Sequence, residues 1–356
     1  MVIPHNVPAP DAVPGRAPGE MKATSPAGPT IEELVSAAHV VSLPMRVRFR
    51  GVTHREVLLL QGPAGWSEFS PFLEYGDSEA APWLRCAIEA GWQGFPAPVR
   101  TTVPVNATVP AVPAASVEPV LASFDAAHTV KIKVAEKGQT LHDDVARVAE
   151  VRRLLPGAAL RVDANAGWTH DQALAGLEAL AGFDLQYAEQ PVDGIGGLGR
   201  LRAEVIRRGL GIRIAADESV RKESDPLAVA RAGAADLIIV KAQPLGGIRR
   251  ALSIVAEAGL PAVVSSALDS SIGIRTGAAL AAALPELPYA CGLGTVSLLE
   301  ADVCVDRYEA REGVLDLRTV EADPDLLRRQ AAPADRRHWW IDRLRRCARL
   351  LGTEPS

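Results

Sequence analysis

Val130-Lys131-Ile132-Lys133-Val134 opens a rhythm that continues through Leu160-Arg161-Val162, Leu185-Gln186-Tyr187-Ala188 and Ile212-Arg213-Ile214-Ala215, then Leu237-Ile238-Ile239-Val240 and Ala262-Val263-Val264. Each apolar run is short, as a buried parallel strand requires, and each has a charged or hydroxyl residue at its C-terminal edge. Those end residues, Lys133, Asp163, Glu189, Asp217, Lys241 and Ser265, lie 24 to 30 residues apart, about one βα unit each. Between them run segments of helical period. One is 142–155, with Val145, Val148, Val151, Leu154 and Leu155; another is 247–258, stopped by Gly259 and Pro261. In a closed (β/α) barrel the C-terminal strand ends surround one mouth, whereas an open doubly wound sheet would spread them along an edge. The spacing therefore predicts a barrel.

Outward from this core the pattern changes. Residues 1–30 are Pro-rich without hydrophobic period and read as a disordered leader. Strand-like segments fill about 38–72, including Val47-Arg48-Phe49-Arg50 and Val57-Leu58-Leu59-Leu60, and a helix is expected over about 78–92. Residues 31–100 read as an α+β capping domain, 101–305 as the barrel, and 306–356 as a C-terminal segment packing back on the cap. Within that segment 334–350 reads as a helix bearing Trp339, Trp340, Leu344 and Cys347.

The 356 residues carry a formal net charge of -5 and a sequence pI of about 5.9, which argues against nucleic acid or an anionic membrane as the main partner. Four scattered cysteines make no CxxC pair and no disulfide framework. No apolar run is of membrane-spanning length and no signal-peptide pattern opens the chain, so a cytoplasmic enzyme acting on a small molecule is expected. Oligomeric state is not legible.

Three carboxylates in one mouth would repel one another unless a cation intervened. An all-oxygen set suits Mg²⁺, with Mn²⁺ as a substitute, better than zinc, because no His or Cys occupies an equivalent position. Asp163, Glu189 and Asp217 are the candidate metal ligands. Arginine greatly outnumbers lysine, yet three of the six lysines fall at these strand ends. Lys131 and Lys133 project to one face by the period of two, and neighbouring positive charge lowers a lysine pKa towards that of a general base. Lys241 comes from a strand close to opposite Lys133.

Lys-x-Lys, Asp-Ala-Asn, Glu-Gln-Pro, Asp-Glu-Ser and a sixth-strand Lys before Gly-Gly together resemble the muconate-lactonizing-enzyme subgroup of the enolase superfamily, over about 45–310. The resemblance implies a modified TIM barrel, (β/α)7β, with a capping domain formed by the N-terminal segment and C-terminal residues. It also implies removal of a proton α to a carboxylate, with a metal stabilising the enediolate; the use of a Lys base with magnesium is a general trait of that superfamily. Asn106-Ala-Thr, Arg161, Ser265-Ser266-Ala-Leu-Asp-Ser-Ser-Ile-Gly and Gly292-Leu-Gly-Thr resemble a dehydrating branch. That branch implies 2-succinyl-6-hydroxy-2,4-cyclohexadiene-1-carboxylate as substrate and a lyase of menaquinone biosynthesis. Lys133 would then be the base and Lys241 an electrostatic partner. Lys131, Arg161, Asn165, Ser265, Ser266 and Gly292 are further substrate or supporting candidates. The Gly65-Trp66-Ser67-Glu68 loop resembles a substrate-facing one, with Ser67 at the usual second Gly. The same motifs fit an N-acylamino acid racemase or dipeptide epimerase, and a barrel kept for binding alone is the alternative of another class.

Overall fold

The computed structural model describes residues 28–49, 51–221 and 225–353; residues 1–27, most of the expected leader, lie outside the described residues, as does Arg50. An antiparallel three-stranded sheet, Ala38–Phe49, Val52–Gly62 and Gly65–Phe69, begins the structure after a short helix, Ile31–Ser36, closed by a Thr30/Glu33 capping box. The expected helix at 78–92 is an α-helix over Asp77–Ile88 that passes into a π-helical turn, Glu89–Gln93. Its N-terminal region meets the C-terminal helix Ala334–Leu350, where Arg346 pairs with Asp77. Trp340 of that helix is fully buried, edge-on to Phe69 at 6.0 Å, and donates its indole N–H to Glu56 at 2.7 Å. The last helix is thus part of the same body as the first sheet.

Seven parallel strands follow: Ala107–Val109, Thr129–Lys133, Ala159–Asp163, Leu185–Glu189, Arg213–Ala216, Leu237–Val240 and Ala262–Val264, hydrogen-bonded in sequence order. The ring closes through an eighth extended segment around Cys291 and Gly292. Cys291 N donates to Pro104 O at 2.7 Å and Asn106 N to Cys291 O at 2.9 Å, while Gly292 N donates to Val264 O at 2.8 Å. Helices follow the first seven strands, and only a 3-10 turn, Thr295–Leu298, follows the eighth. The expected fold class is what is found.

Residue parity explains why the site faces inward. Tyr187, Ala215, Leu237, Ile239 and Val263, with Tyr289, form a separate apolar cluster from Val130, Ile132, Leu160, Val162, Ile214, Ile238, Val240 and Val264. Odd-numbered residues of strands two to seven thus point into the barrel and even-numbered ones onto the helices, as alternation on a pleated strand demands. The exception is the start of the fourth strand, where a register shift puts Leu185 opposite Leu160 in the outer cluster and turns Gln186 to Arg161. Lys131, Lys133, Arg161, Asp163, Glu189, Asp217, Lys241 and Ser265 all share the inward parity. Register adds the level. Lys133 lies opposite Asp163, Asp163 opposite Glu189, and Glu189 opposite Ala215, two residues before Asp217. A one-residue slip of any of these strands would send its charge into the helix layer.

Candidate active site

Lys131, Lys133, Asp163, Asn165, Asp217, Lys241, Ser265, Ser266 and Gly292 line one cavity at the C-terminal mouth. Lys133 Nζ lies 2.6 Å from Asp163 Oδ2 and 2.5 Å from Asn165 Oδ1. Lys131 Nζ sits between two acids, 2.9 Å from Glu189 Oε1 and 3.1 Å from Asp163 Oδ2. Lys241 Nζ pairs with Asp217 Oδ1. Two expected residues are not on the cavity wall. Glu189 lies beneath it, 1% exposed, under Lys131. Arg161 is one inward layer lower and fully buried, bonded to Asn106 Oδ1, Gln186 Oε1 and Ala290 O, with its guanidinium 4.8 Å from the Tyr187 ring centre. It braces the barrel floor beneath the acids.

Burial is the first force on every charge here, and the neighbours decide its outcome. It would raise Asp163, yet the Lys133 and Lys131 ammoniums hold that carboxyl far below the usual range. Burial likewise opposes the Asp217 charge, and Lys241 overrides it, holding Asp217 low. Glu189 goes the other way: burial, then the charges of Asp163 and Asp217, push it up to about 8 against the pull of the lysines. Burial works against the Lys131 ammonium as well, but Glu189 and Asp163 raise it well above the lysine value. Lys133 is lowered by burial and by Lys131, with Asp163 opposing.

Among the described residues no three His, Cys, Asp or Glu side chains gather at the spacing of one metal ion; each acid of the trio is turned to an ammonium instead. The donor set nevertheless fits a hard cation. Three carboxylates come from adjacent strands, Lys131 already places a positive charge between two of them, and burial together with Asp163 opposes the charge of Glu189, which a bound cation would stabilise. Glu218, next to Asp217, adds a fourth acid; burial and the charges of Asp217 and Asp163 raise its carboxyl, which accepts from Asn165 Nδ2 at 3.1 Å.

Phe72, Thr108, Ala267, Leu268 and Thr295 complete the wall and were not among the expected site residues. Thr108 and Thr295 stand in stretches already noticed, Asn106-Ala-Thr and Gly292-Leu-Gly-Thr. Period two from Asn106 gives Thr108, and Ser266 Oγ reaches Thr295 Oγ1 at 2.7 Å. Phe72 comes from the cap, a placement that no local pattern encodes. In the loop resembling a substrate-facing one, Ser67 is fully buried and Glu68 is 2% exposed; neither lines the cavity.

Family models place this architecture. A model described as enolase C-terminal domain-like matches residues 117–322, and one described as enolase N-terminal domain-like matches residues 40–91. The chain belongs to the enolase superfamily, and with it to a class of divalent-metal-dependent enzymes. At closer range it is similar to proteins named o-succinylbenzoate synthase. The one from Mycobacterium marinum is 52% identical over 328 residues, 92% of this chain and 98% of that protein. The one from Mycolicibacterium smegmatis is 52% identical over 324 residues, 91% and 98% of the two chains. Among solved structures, muconate lactonizing enzyme from Pseudomonas putida matches with a TM-score of 0.69 at 21% identity, covering 83% of this chain and 98% of that one. The Pseudomonas fluorescens enzyme reaches 0.71 at 22% over the same shares. These likenesses concern the fold alone.

Proposed function

We propose that the protein is an o-succinylbenzoate synthase. It dehydrates 2-succinyl-6-hydroxy-2,4-cyclohexadiene-1-carboxylate to 2-succinylbenzoate, with Mg²⁺ held by Asp163, Glu189 and Asp217. The observation that carries this reading is a cavity lined by both the Lys133–Asp163 and Lys241–Asp217 pairs, in a chain half identical to synthases of that name.

Lys133 is the base. Its neutral amine takes the proton from the carbon bearing the carboxylate, and burial together with Lys131 favours that neutral form. The electron pair left on that carbon re-forms the ring double bonds as the C6–oxygen bond breaks. The proton now on Lys133 goes to the departing hydroxyl, so water leaves and the ring is aromatic. A syn elimination needs one lysine for both transfers. Lys241 faces the same cavity and stabilises the anion by charge. Bound Mg²⁺ supplies fixed positive charge where the substrate carboxylate gains negative charge. Asn165 accepts from the Lys133 ammonium and so aims it.

The second reading, racemisation of an N-acylamino acid, draws on a lysine being present in each of two pairs on one cavity, as a two-base exchange requires. Purified protein assayed on both substrates, with Mg²⁺ and with chelator, separates them. Metal-dependent aromatisation is expected; racemisation without dehydration would replace this proposal with the second one.

A further inference from the structure

Glu68 reaches from the cap to the barrel. Its Oε2 accepts from Ser270 N at 3.1 Å, Gly273 N at 3.0 Å and Ser270 Oγ at 2.5 Å, at the start of the helix Ser271–Ala283; its Oε1 accepts from Ser70 Oγ at 2.5 Å. A Cβ on Gly273 would stand 2.7 Å from Glu68 Oε2 and 2.6 Å from the Asp269 Cβ, so this approach requires glycine. Beside it lies Arg55, 3% exposed. Arg55 Nε donates to Leu268 O at 3.1 Å, and its Nη2 donates to Ala267 O at 3.2 Å and to Ser70 O. The guanidinium carbon also stands 4.6 Å from the Phe72 ring centre.

Three groups that Arg55 touches, Phe72 from the cap and Ala267 and Leu268 from the barrel, are wall residues of the catalytic cavity. Leu268 has φ 60°, a left-handed conformation that a leucine keeps only when its surroundings over-determine it. Burial pulls the Arg55 charge down, while Glu68 and Asp269 hold it up. An apolar side chain could fill this space without that desolvation cost. What it could not do is bind carbonyls of both domains with one planar fork.

We infer that Arg55 is a positioning residue that sets the substrate-facing wall, by fixing the cap's Phe72 against the Ala267–Leu268 turn of the barrel. The inference deepens the function proposed above and rests on it. Lys133, Lys241 and the three acids hang on barrel strands whose ladder does not pass through the cap. Loosening the wall therefore weakens substrate binding and leaves the proton chemistry in place.

Steady-state dehydration kinetics of wild type, Arg55→Met and Arg55→Lys, with Mg²⁺ affinity measured on each, test this. Lysine keeps a cation for Glu68 and Asp269 but lacks the fork, so it decides the matter should the Met variant not fold. Both folded variants should raise KM by about tenfold or more, with kcat within about threefold and Mg²⁺ affinity unchanged. A KM within about twofold of wild type, or a kcat loss at constant KM, would overturn the role. A wild type that performs no dehydration would instead remove the functional reading, and this inference with it.

Discussion

Replacing Arg147 by Met removes a charge that works behind the site. Arg147 is fully buried in the helix Leu141–Leu154 and pairs with Asp144, 2% exposed by side chain, at 3.0 Å. It also donates to Lys133 O at 2.7 Å and Val112 O at 2.6 Å, while Asp144 accepts from Ala135 N at 3.0 Å. The pair thus clamps the end of the strand that carries Lys133. Removing one member strands the other; burial already raises Asp144 above its usual value. Breaking a buried pair in this way costs about 3–5 kcal/mol, a large share of the ~5–15 kcal/mol typical of a whole protein. The control is Arg153→Met, whose pair with Glu150 is 65% and 24% exposed by side chain and, screened by solvent, should leave the unfolding midpoint close to that of wild type. Urea unfolding should show a lower midpoint for Arg147→Met at unchanged slope, and Asp144→Asn in the same background should recover part of the loss by removing the stranded charge. An Arg147→Met protein within about 1 kcal/mol of wild type would refute the reasoning.

Three further outcomes follow from the site. Lys241→Ala should spare dehydration more than it spares any racemase activity, since only racemisation needs a second proton carrier; equal losses on both substrates would contradict its electrostatic role. Stability without metal should fall as pH rises from about 4.5 to about 8. Over that window the folded protein retains protons on Glu68 and Glu189, both pushed up to about 8 by burial and neighbouring acids, which the unfolded chain has released. Asp163 and Asp217 are lowered and act only in more acidic solution, so a Tm of chelator-treated protein that stays flat across the window would count against these assignments. Added Mg²⁺ should raise Tm more at about pH 8 than at about pH 6, because binding requires the Glu189 proton to leave; the reverse order would argue against Glu189 as a ligand.

How much of this could be read from the chain depended on whether a signal is local. Strand alternation and a polar residue at each strand end are local, and they located Lys133, Asp163, Glu189, Asp217, Lys241 and Ser265 on one inward face. The Gly259 stop also holds: it caps its helix at φ 63°. The wall formed by Phe72, Ala267 and Leu268 arises from docking of the cap on the barrel through Arg55 and Glu68, contacts more than 200 residues apart in sequence. No periodicity carries that information. Arg161 shows the complementary limit: parity puts it inside the barrel, but depth along the strand puts it under the acids, out of reach of the cavity.

The most direct measurement is the turnover of Lys133→Ala on the cyclohexadiene substrate, with Mg²⁺ affinity measured on the same sample. If that amine both collects the ring proton and returns it to the leaving group, turnover should drop by at least about 10²–10⁴-fold while the ion still binds. A variant that keeps turnover near the wild-type rate would show that the proton travels by another group.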